Sequence, residues 1–192
     1  MSKKIVSYDL TRPVYPSPGG LITSVDAEGK PNIITLGETF NLSIRKPVIV
    51  GIAIAPARYS HQLIRECGEF VVNLPTSKII DKVIQCGSAS GRDGVNKFEE
   101  FGLTPLPADK VKPPLIAECP VNIECQLLEV IQIGDHDLFK GLAVAEHVDE
   151  DMFDDEGKLV PGRLDFFSMV RGQFFAQGER LKPSVERRLA RK

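Results

Sequence analysis

Short runs of apolar and β-branched residues dominate the first third of the chain. Residues 21–25 and 31–35 are two such runs, and the turn residues 26–30, Asp-Ala-Glu-Gly-Lys, lie between them. This pattern predicts a β-hairpin. Residues 48–54 are dense in Val and Ile, and a run this short and apolar is typical of a strand buried on both faces. Residues 70–74 predict a further strand.

Apolar residues at helical spacing predict two helices after the buried strand. The first begins with Ser60 as its N-terminal cap and ends at Gly68, because a hydroxyl accepts hydrogen bonds at an open helix end and glycine readily ends a helix. The second begins at Thr76 or Ser77 and ends at Gly87. Its apolar face consists of four aliphatic residues, Ile79, Ile80, Val83 and Ile84.

The second half predicts a helical turn, a loop and a long hairpin. Residues 95–101 fit one more helical turn before Gly102, and residues 105–120 contain five prolines and indicate a wrapped loop. Residues 121–133 and 138–147 are β-type runs joined by Gly-Asp-His-Asp, which is a hairpin signal. Short strands outnumber helices, so we expect a mainly β fold, a small barrel with peripheral helices.

Charge is concentrated in two places near the C-terminal end. Residues 149–156 hold six acids in eight positions, and mutual repulsion favours an exposed loop there. Nothing in the sequence fixes these carboxylates in the geometry of a metal site, so no metal is expected. Residues 182–192 are basic and are interpreted as a surface tail.

Composition narrows the class of protein. With 192 residues, 42% hydrophobic and 26% charged, the chain suits one soluble globular domain. A formal charge of -2 disfavours a general nucleic-acid binder. The longest apolar stretch, residues 48–55, is far shorter than the about 20 residues of a membrane span. The N-terminus has no secretory signal pattern, so we expect a cytoplasmic protein without membrane or nucleic-acid partners.

Familiar catalytic and metal motifs are missing from the sequence. The four cysteines form no Cys-x-x-Cys pair and are interpreted as buried thiols in a reducing compartment. The three histidines, His61, His136 and His147, are far apart, and no nucleophile elbow, zinc motif or phosphate-binding loop occurs. Hydrolysis by the usual triads is therefore poorly supported.

Polar clusters near the predicted strand ends are the remaining candidates for chemistry. Residues 36–43 combine hydroxyls, an amide and a glycine that lets a flat ligand approach the backbone. Residues 55–61 place a cation and hydroxyls at a predicted helix N-terminus, which suits an anion such as phosphate. Residues 88–94 are rich in Gly and Ser and precede Lys97. Each cluster alone is weak evidence.

Together, these segments resemble the flavin reductase-like, FMN-binding split-barrel proteins, and among them the flavoredoxin-type branch. The resemblance covers residues 16–181. It is carried by the following stretches: residues 18–23 and 26–32; residues 39–43 with Pro47; residues 58–64 and 69–73; Ser90-Gly91-Arg92-Asp93 with Lys97-Phe98; Gly134-Asp135-His136 with Gly141; and residues 173–175 and 178–181.

The resemblance implies a homodimeric, Greek-key, six-stranded split barrel with one FMN per subunit near the dimer interface. The domain would span residues 16–181, between an N-terminal arm of residues 1–15 and the basic tail of residues 182–192. The cofactor-binding residues carried over, with Ala53 and Ile54 as part of an apolar wall, are Leu36, Gly37, Glu38, Thr39, Asn41, Ala53, Ile54, Arg58, Tyr59, Ser60, His61, Ser90, Gly91 and Lys97. Of these, Arg58 to His61 and Lys97 would hold the phosphate.

The activity implied by the resemblance is oxidoreduction. NADH or NADPH would reduce the flavin, which would pass electrons to an acceptor, and His136 matches a family histidine near the nicotinamide. No Rossmann fingerprint occurs in the sequence. One alternative is a protein that holds FMN and receives electrons from a redox partner protein. Another is a binding module that has lost FMN.

Two positions depart from the family pattern. Many relatives have an aromatic residue at the position of Glu38, and a carboxylate there would disfavour a negatively charged reduced flavin. We therefore expect Glu38 to face away or to hydrogen-bond. Lys46 replaces one member of a common Pro-Pro pair and is expected to alter only the turn.

Overall fold

A computed structural model of the protein describes residue 3 and residues 12–181. Most of the predicted arm and the whole predicted basic tail lie outside these described residues. The strands over the described part are β1 (Ser17–Pro18), β2 (Gly20–Val25), β3 (Pro31–Leu36), β4 (Thr39–Ser43), β5 (Ile49–Ile54), β6 (Glu69–Leu74), β7 (Pro105–Leu106), β8 (Leu115–Ile116), β9 (Val121–Ile133), β10 (His136–Val148), β11 (Phe167–Val170) and β12 (Gln173–Ala176). The α-helices are α1 (Tyr59–Cys67), α2 (Ile80–Ser88) and α3 (Lys97–Glu100).

The main sheet is antiparallel and has seven strands in the order β3-β2-β6-β9-β10-β5-β4. It curls into a half-barrel around a core that includes Ile22, Ile52, Phe70 and Phe139. The mainly β split barrel is thus confirmed. The main sheet has seven strands where the resemblance implied six, and β4 forms one of its edges, beside β5.

The other face of the sheet is also covered. Leu21 and Ile22 are neighbours on β2, and since successive side chains point to opposite faces of a strand, they enter two different cores. The second core packs Leu21 and Ile33 against Val83 of α2, Phe98 of α3 and other apolar side chains. Burial on both faces explains the continuous apolar runs in the sequence.

A small sheet with the order β1-β11-β12 stands beside the main one. Its strands bring Phe167, Met169 and Phe174 towards β3 and α2. The rings of Phe167 and Phe174 meet edge to face, with centroids 5.6 Å apart. This apolar wall was not recognised in the sequence, where only the last strand was matched.

The helix boundaries require corrections. Arg58, not Ser60, is the N-cap of α1, and Ser60 lies inside the first turn. Gly68 ends α1 as predicted, with φ +73° and its N–H bonded to the carbonyl of Ile64. Gly87 lies within α2 instead of ending it. A Cβ at Gly87 would stand 3.3 Å from Thr35, so this glycine permits close helix–strand packing.

The second helical segment also differs from its prediction in other ways. It opens with a 3-10 turn at Ser77–Ile79 before α2 starts at Ile80, and Ala89 is the C-cap. Val83 is buried, and Ile79 and Ile80 pack against the second core, whereas Ile84 is 45% exposed. Ile84 therefore does not share the packed face, contrary to the prediction.

The long hairpin and the exposed acidic segment are confirmed. Strands β9 and β10 pair along almost their whole length, and most of the acids in residues 149–156 are exposed. The proline-rich loop contains the short β7–β8 pair, and α3 is shorter than residues 95–101. In the described part of the chain, no helix is long and apolar enough to cross a membrane.

A buried glutamate holds the proline-rich loop in place. Glu124 of β9 accepts hydrogen bonds from the backbone N–H groups of Asp109, Lys110 and Val111 and from Nε2 of His147, at 2.6–3.1 Å. Burial alone would raise the pKa of Glu124, but these hydrogen bonds outweigh it and the pKa lies below its ordinary value. Neither Glu124 nor this role for His147 was predicted.

Candidate functional site

A cavity of about 290 Å³ opens between β3, the N-terminus of α1, α2 and the small sheet. Most of the residues predicted to bind a cofactor line it, together with the predicted catalytic histidine. They are Leu36, Gly37, Glu38, Arg58, Tyr59, Ser60, Ser90, Gly91, Lys97 and His136. Segments far apart in sequence therefore converge on one cavity.

The start of α1 forms one wall. Arg58 caps the helix, and Tyr59 and Ser60 follow in its first turn. The guanidinium of Arg92 lies 5.7 Å from the centre of the Tyr59 ring, within the range of a cation–π contact. The unpaired N–H groups and positive dipole at a helix N-terminus favour anions, so this wall suits a phosphate.

Lys97 supplies a buried cation at the cavity. It is 4% exposed, and its Nζ donates to the carbonyls of Ile33 and Cys86, both at 2.6 Å. An ammonium has three donors, so one more is available for a ligand. Burial lowers the pKa of Lys97, against an opposing effect of the nearby Cys86 thiol.

Asn32 is a site residue that our sequence analysis missed. Its side chain is 5% exposed, and Nδ2 donates to Ser60 Oγ at 2.8 Å. Its Oδ1 is buried and has no hydrogen-bond partner among the described residues. A Cβ at Gly91 would stand 2.3 Å from this oxygen, so the backbone approaches it closely. Asparagine is disfavoured in strands, and its place in the apolar run was the available signal.

Glu38 is paired, as expected. Its Oε1 lies 3.2 Å from Nε of Arg12, and a second contact joins Oε2 to the same guanidinium at 3.4 Å. Both residues line the cavity. Arg12 offsets the carboxylate charge, and since Arg58 and Lys97 are also present, the charged lining is positive on balance.

His136 stands at the tip of the β9–β10 hairpin and reaches the cavity edge. Its Nδ1 is 3.0 Å from Oδ1 of Asp135. This hydrogen bond, with the attraction of the two groups, lowers the pKa of Asp135.

Several predicted cofactor residues do not line the cavity: Thr39, Asn41, Ala53, Ile54 and His61. Thr39 is buried and Asn41 exposed on β4. The Ala53 N–H donates to the Glu38 carbonyl at 3.0 Å and so fixes the backbone of that segment. Ile54 belongs to the barrel core, and His61 pairs with Asp137 at 2.8 Å. Their contact with a cofactor stays a prediction.

The cavity residues fit a flavin nucleotide. The unpartnered Asn32 Oδ1 calls for a donor such as a hydroxyl. Arg58, the helix N-terminus and Lys97 suit a phosphate. No group of His, Cys, Asp and Glu able to hold a metal ion occurs within the described residues.

Comparisons with known proteins identify the family. The family described as "Flavin reductase like domain" matches residues 11–167, and the chain belongs to it. The fold is also similar to that of flavoredoxin from Desulfovibrio vulgaris (Miyazaki F), with a TM-score of 0.84 and 27% identity over 96% of this chain and 97% of the other. The predicted flavoredoxin-type resemblance is confirmed.

Two relatives known by sequence extend this picture. A protein of Archaeoglobus fulgidus is 44% identical over 112 residues, which are 58% of this chain and 62% of the relative. This chain thus covers less than two thirds of that relative's length. The NADH:riboflavin 5'-phosphate oxidoreductase of Streptomyces pristinaespiralis is 28% identical over 131 residues, 67% of this chain and 69% of the relative.

Proposed function

We propose that the protein binds FMN in the cavity of residues around Lys97 and Arg58 and passes electrons from NADH or NADPH to an acceptor. The observation that carries this proposal is the convergence of Arg58, the α1 N-terminus and Lys97 beside the unpartnered oxygen of Asn32. A nucleotide with a phosphate and a hydroxylated chain satisfies both features.

Each wall of the cavity has a distinct part in holding the cofactor. Arg58 and the first N–H groups of α1 bind the phosphate, and the third donor of Lys97 adds a charged hydrogen bond. Asn32 Oδ1 accepts from a hydroxyl of the sugar chain. Leu36 and Gly37, with Met169 and Phe174 of the small sheet, would hold the ring of the cofactor.

When bound, FMN would supply the redox chemistry, which is hydride transfer from a reduced nicotinamide and delivery of two electrons to an acceptor with release of a proton. The residues of this chain would bind the cofactor, orient it and shield it. His136 stands at the open edge, where it can contact a nicotinamide. Arg12 keeps the Glu38 carboxylate paired, which limits the negative charge facing the ring.

We further propose that the active form is a homodimer. Strand β4 is an edge of the main sheet, and Phe40, Leu42 and Ile44 on and beside it are 42%, 43% and 77% exposed. Exposed apolar edge strands favour association. A second copy covering this edge would also come close to the cavity, since β4 directly follows Glu38.

Titration of FMN into the FMN-free protein, followed by loss of flavin fluorescence, tests the cofactor. Rapid mixing of the loaded protein with NADH and with NADPH then tests the reductant. We expect saturable binding at one FMN per subunit and bleaching of the flavin absorbance within the mixing experiment. A folded protein that binds no FMN would refute the proposal.

A second candidate is an electron carrier that holds FMN and is reduced by a protein donor. The similarity to flavoredoxin favours it. The same mixing experiment separates the two candidates, because a carrier binds FMN and is bleached by dithionite but not by NADH or NADPH.

A further inference from the structure

A buried hydrogen bond joins helix α1, which begins beside Arg58, to strand β10, which begins at His136. Nε2 of His61, in the first turn of α1, lies 2.8 Å from Oδ2 of Asp137 at the start of β10. Each residue is 8% exposed. The Phe139 ring meets the imidazole edge to face, with centroids 5.0 Å apart, and closes the pair off from the core side.

The alternation of β10 links this pair to the cavity. Asp137 and Phe139 are two residues apart, so they share a face of the strand, and both contact His61. His136 precedes Asp137 and points to the opposite face, where it lines the cavity. Fixing Asp137 therefore fixes the backbone from which His136 extends.

Without this hydrogen bond, helix α1 would still be held firmly, but the tip of the β9–β10 hairpin would not. Leu63 and Ile64 anchor α1 in the cores, at 2% and 0% exposure. The hairpin tip that precedes Asp137 is exposed to solvent at Gly134 and Asp135. Loss of the pair would therefore displace the hairpin tip more than the helix.

We propose that His61 and Asp137 are a positioning pair, which sets the place of His136 at the cavity without itself touching the cofactor. His61 was predicted to bind FMN, and this inference gives it a different role. It rests on the proposed function only for what His136 does at the cavity.

Three substitutions test the pair. His61→Leu removes the donor but keeps an apolar side chain beside Phe139. His61→Gln keeps an N–H donor able to reach Asp137. Glu129→Gln is the matched control, since Glu129 lies on the same hairpin in an exposed ion pair with Lys140. Each variant is compared by amide hydrogen exchange of residues 134–138 without FMN, by FMN titration, and by the rate of flavin reduction at saturating NADH or NADPH.

We expect His61→Leu to speed exchange at the hairpin tip and to slow flavin reduction by about tenfold, since small displacements of a reacting group have large effects on rate. FMN affinity should change little, because the phosphate wall on α1 stays in place. His61→Gln should restore both exchange and rate most of the way, and Glu129→Gln should match the wild type. Rescue by Gln separates positioning from mere packing.

Wild-type exchange and wild-type reduction rate in His61→Leu would overturn the pair's role. So would a failure of His61→Gln to improve on His61→Leu. If His61→Leu does not fold, Asp137→Ala replaces it, because alanine removes the acceptor of the hydrogen bond. Unchanged exchange and rate in that variant would also overturn the proposal. If neither nicotinamide reduces the wild-type flavin, the proposed function fails, and faster exchange in His61→Leu with recovery in His61→Gln still establishes the pair.

Discussion

The cavity has two unlike walls. The inner wall consists of three buried residues, Asn32, Ser60 and Lys97. Asn32 Nδ2 donates to Ser60 Oγ at 2.8 Å. Lys97 Nζ donates to two backbone carbonyls, of Ile33 on β3 and Cys86 on α2, at 2.6 Å each. The outer wall is the Arg12–Glu38 pair at 3.2 Å, whose side chains are 59% and 29% exposed. Hydrogen bonds in a buried setting are stronger and cost more to lose than those in water.

This difference indicates that the two walls have different roles in ligand binding. The inner wall is organised before a ligand arrives, so it can contribute most of the binding free energy. The outer wall is wet and its charges are screened, so it adjusts the charge near the ring without holding the ligand.

Lys97→Met should have the largest effect. The change leaves the carbonyls of Ile33 and Cys86 without their buried donor and removes a cation from the phosphate site. We expect the free energy of unfolding of the FMN-free protein to fall by about 2–4 kcal/mol, measured by urea denaturation. The FMN dissociation constant should rise by at least about tenfold.

Lys82→Met is the matched control for this change. Lys82 of α2 also donates to a backbone carbonyl, that of Gly102 at 2.5 Å, but in an exposed setting. Its replacement should cost no more than about 0.5 kcal/mol and leave FMN binding unchanged. Equal losses in the two variants would contradict the contrast between buried and exposed donors.

Arg58→Ala tests the other half of the phosphate site. Arg58 caps α1 at the cavity, and losing a charged hydrogen bond should weaken FMN binding by about tenfold. Stability should change little, because the helix keeps its buried residues Leu63 and Ile64. Arg65→Ala, in the last turn of the same helix, is the control and should bind FMN normally. Unaltered FMN affinity in Arg58→Ala would remove Arg58 from the site.

The pH dependence of FMN binding should report Lys97. Burial holds its pKa below the ordinary 10.5, so the folded protein loses this charge before the unfolded chain does. Between the two pKa values the unfolded chain binds more protons, and the free energy of unfolding therefore rises with pH. FMN affinity should fall severalfold over the same interval. Titrations from about pH 7 to about pH 10 measure this fall, which should vanish in Lys97→Met.

Local patterns predicted the strands well and the inner wall incompletely. The hairpins and the buried strand depend on alternation and turn residues within a few positions, which a sequence displays directly. The role of Asn32 depends on its hydrogen bond with Ser60 and its close approach to Gly91. The role of Glu124 depends on its hydrogen bonds with the proline-rich loop and with His147. Such partners are set by the tertiary fold, so the local sequence could mark Asn32 as an unusual strand residue but could not name the partners of either residue.

Two predicted helix boundaries were wrong for a related reason. Glycine often ends a helix, but Gly87 lies within α2, where the absence of a side chain lets the helix pack closely against Thr35 of β3. Serine is a common N-cap residue, but the hydroxyl of Ser60 accepts a hydrogen bond from Asn32 inside the fold. In both cases a contact distant in sequence replaced the local role that the residue type suggests.

The outer wall gives the smallest expected effects, and they should have opposite signs. Glu38→Gln removes the only acid that lines the cavity in the described part of the chain, so FMN should bind slightly more tightly. Arg12→Gln leaves Glu38 unpaired and should weaken binding. Each change should stay within about threefold and about 0.5 kcal/mol of stability, as exposed ion pairs do.

The double variant Arg12→Gln with Glu38→Gln measures the coupling between these two residues. Because the pair is half-exposed, the coupling should be below about 1 kcal/mol and should shrink further as salt is added. A coupling of several kcal/mol that resists salt would mean that the outer wall is organised like the inner one. FMN would then be enclosed by two rigid walls, and the proposed division between holding and adjusting would be wrong.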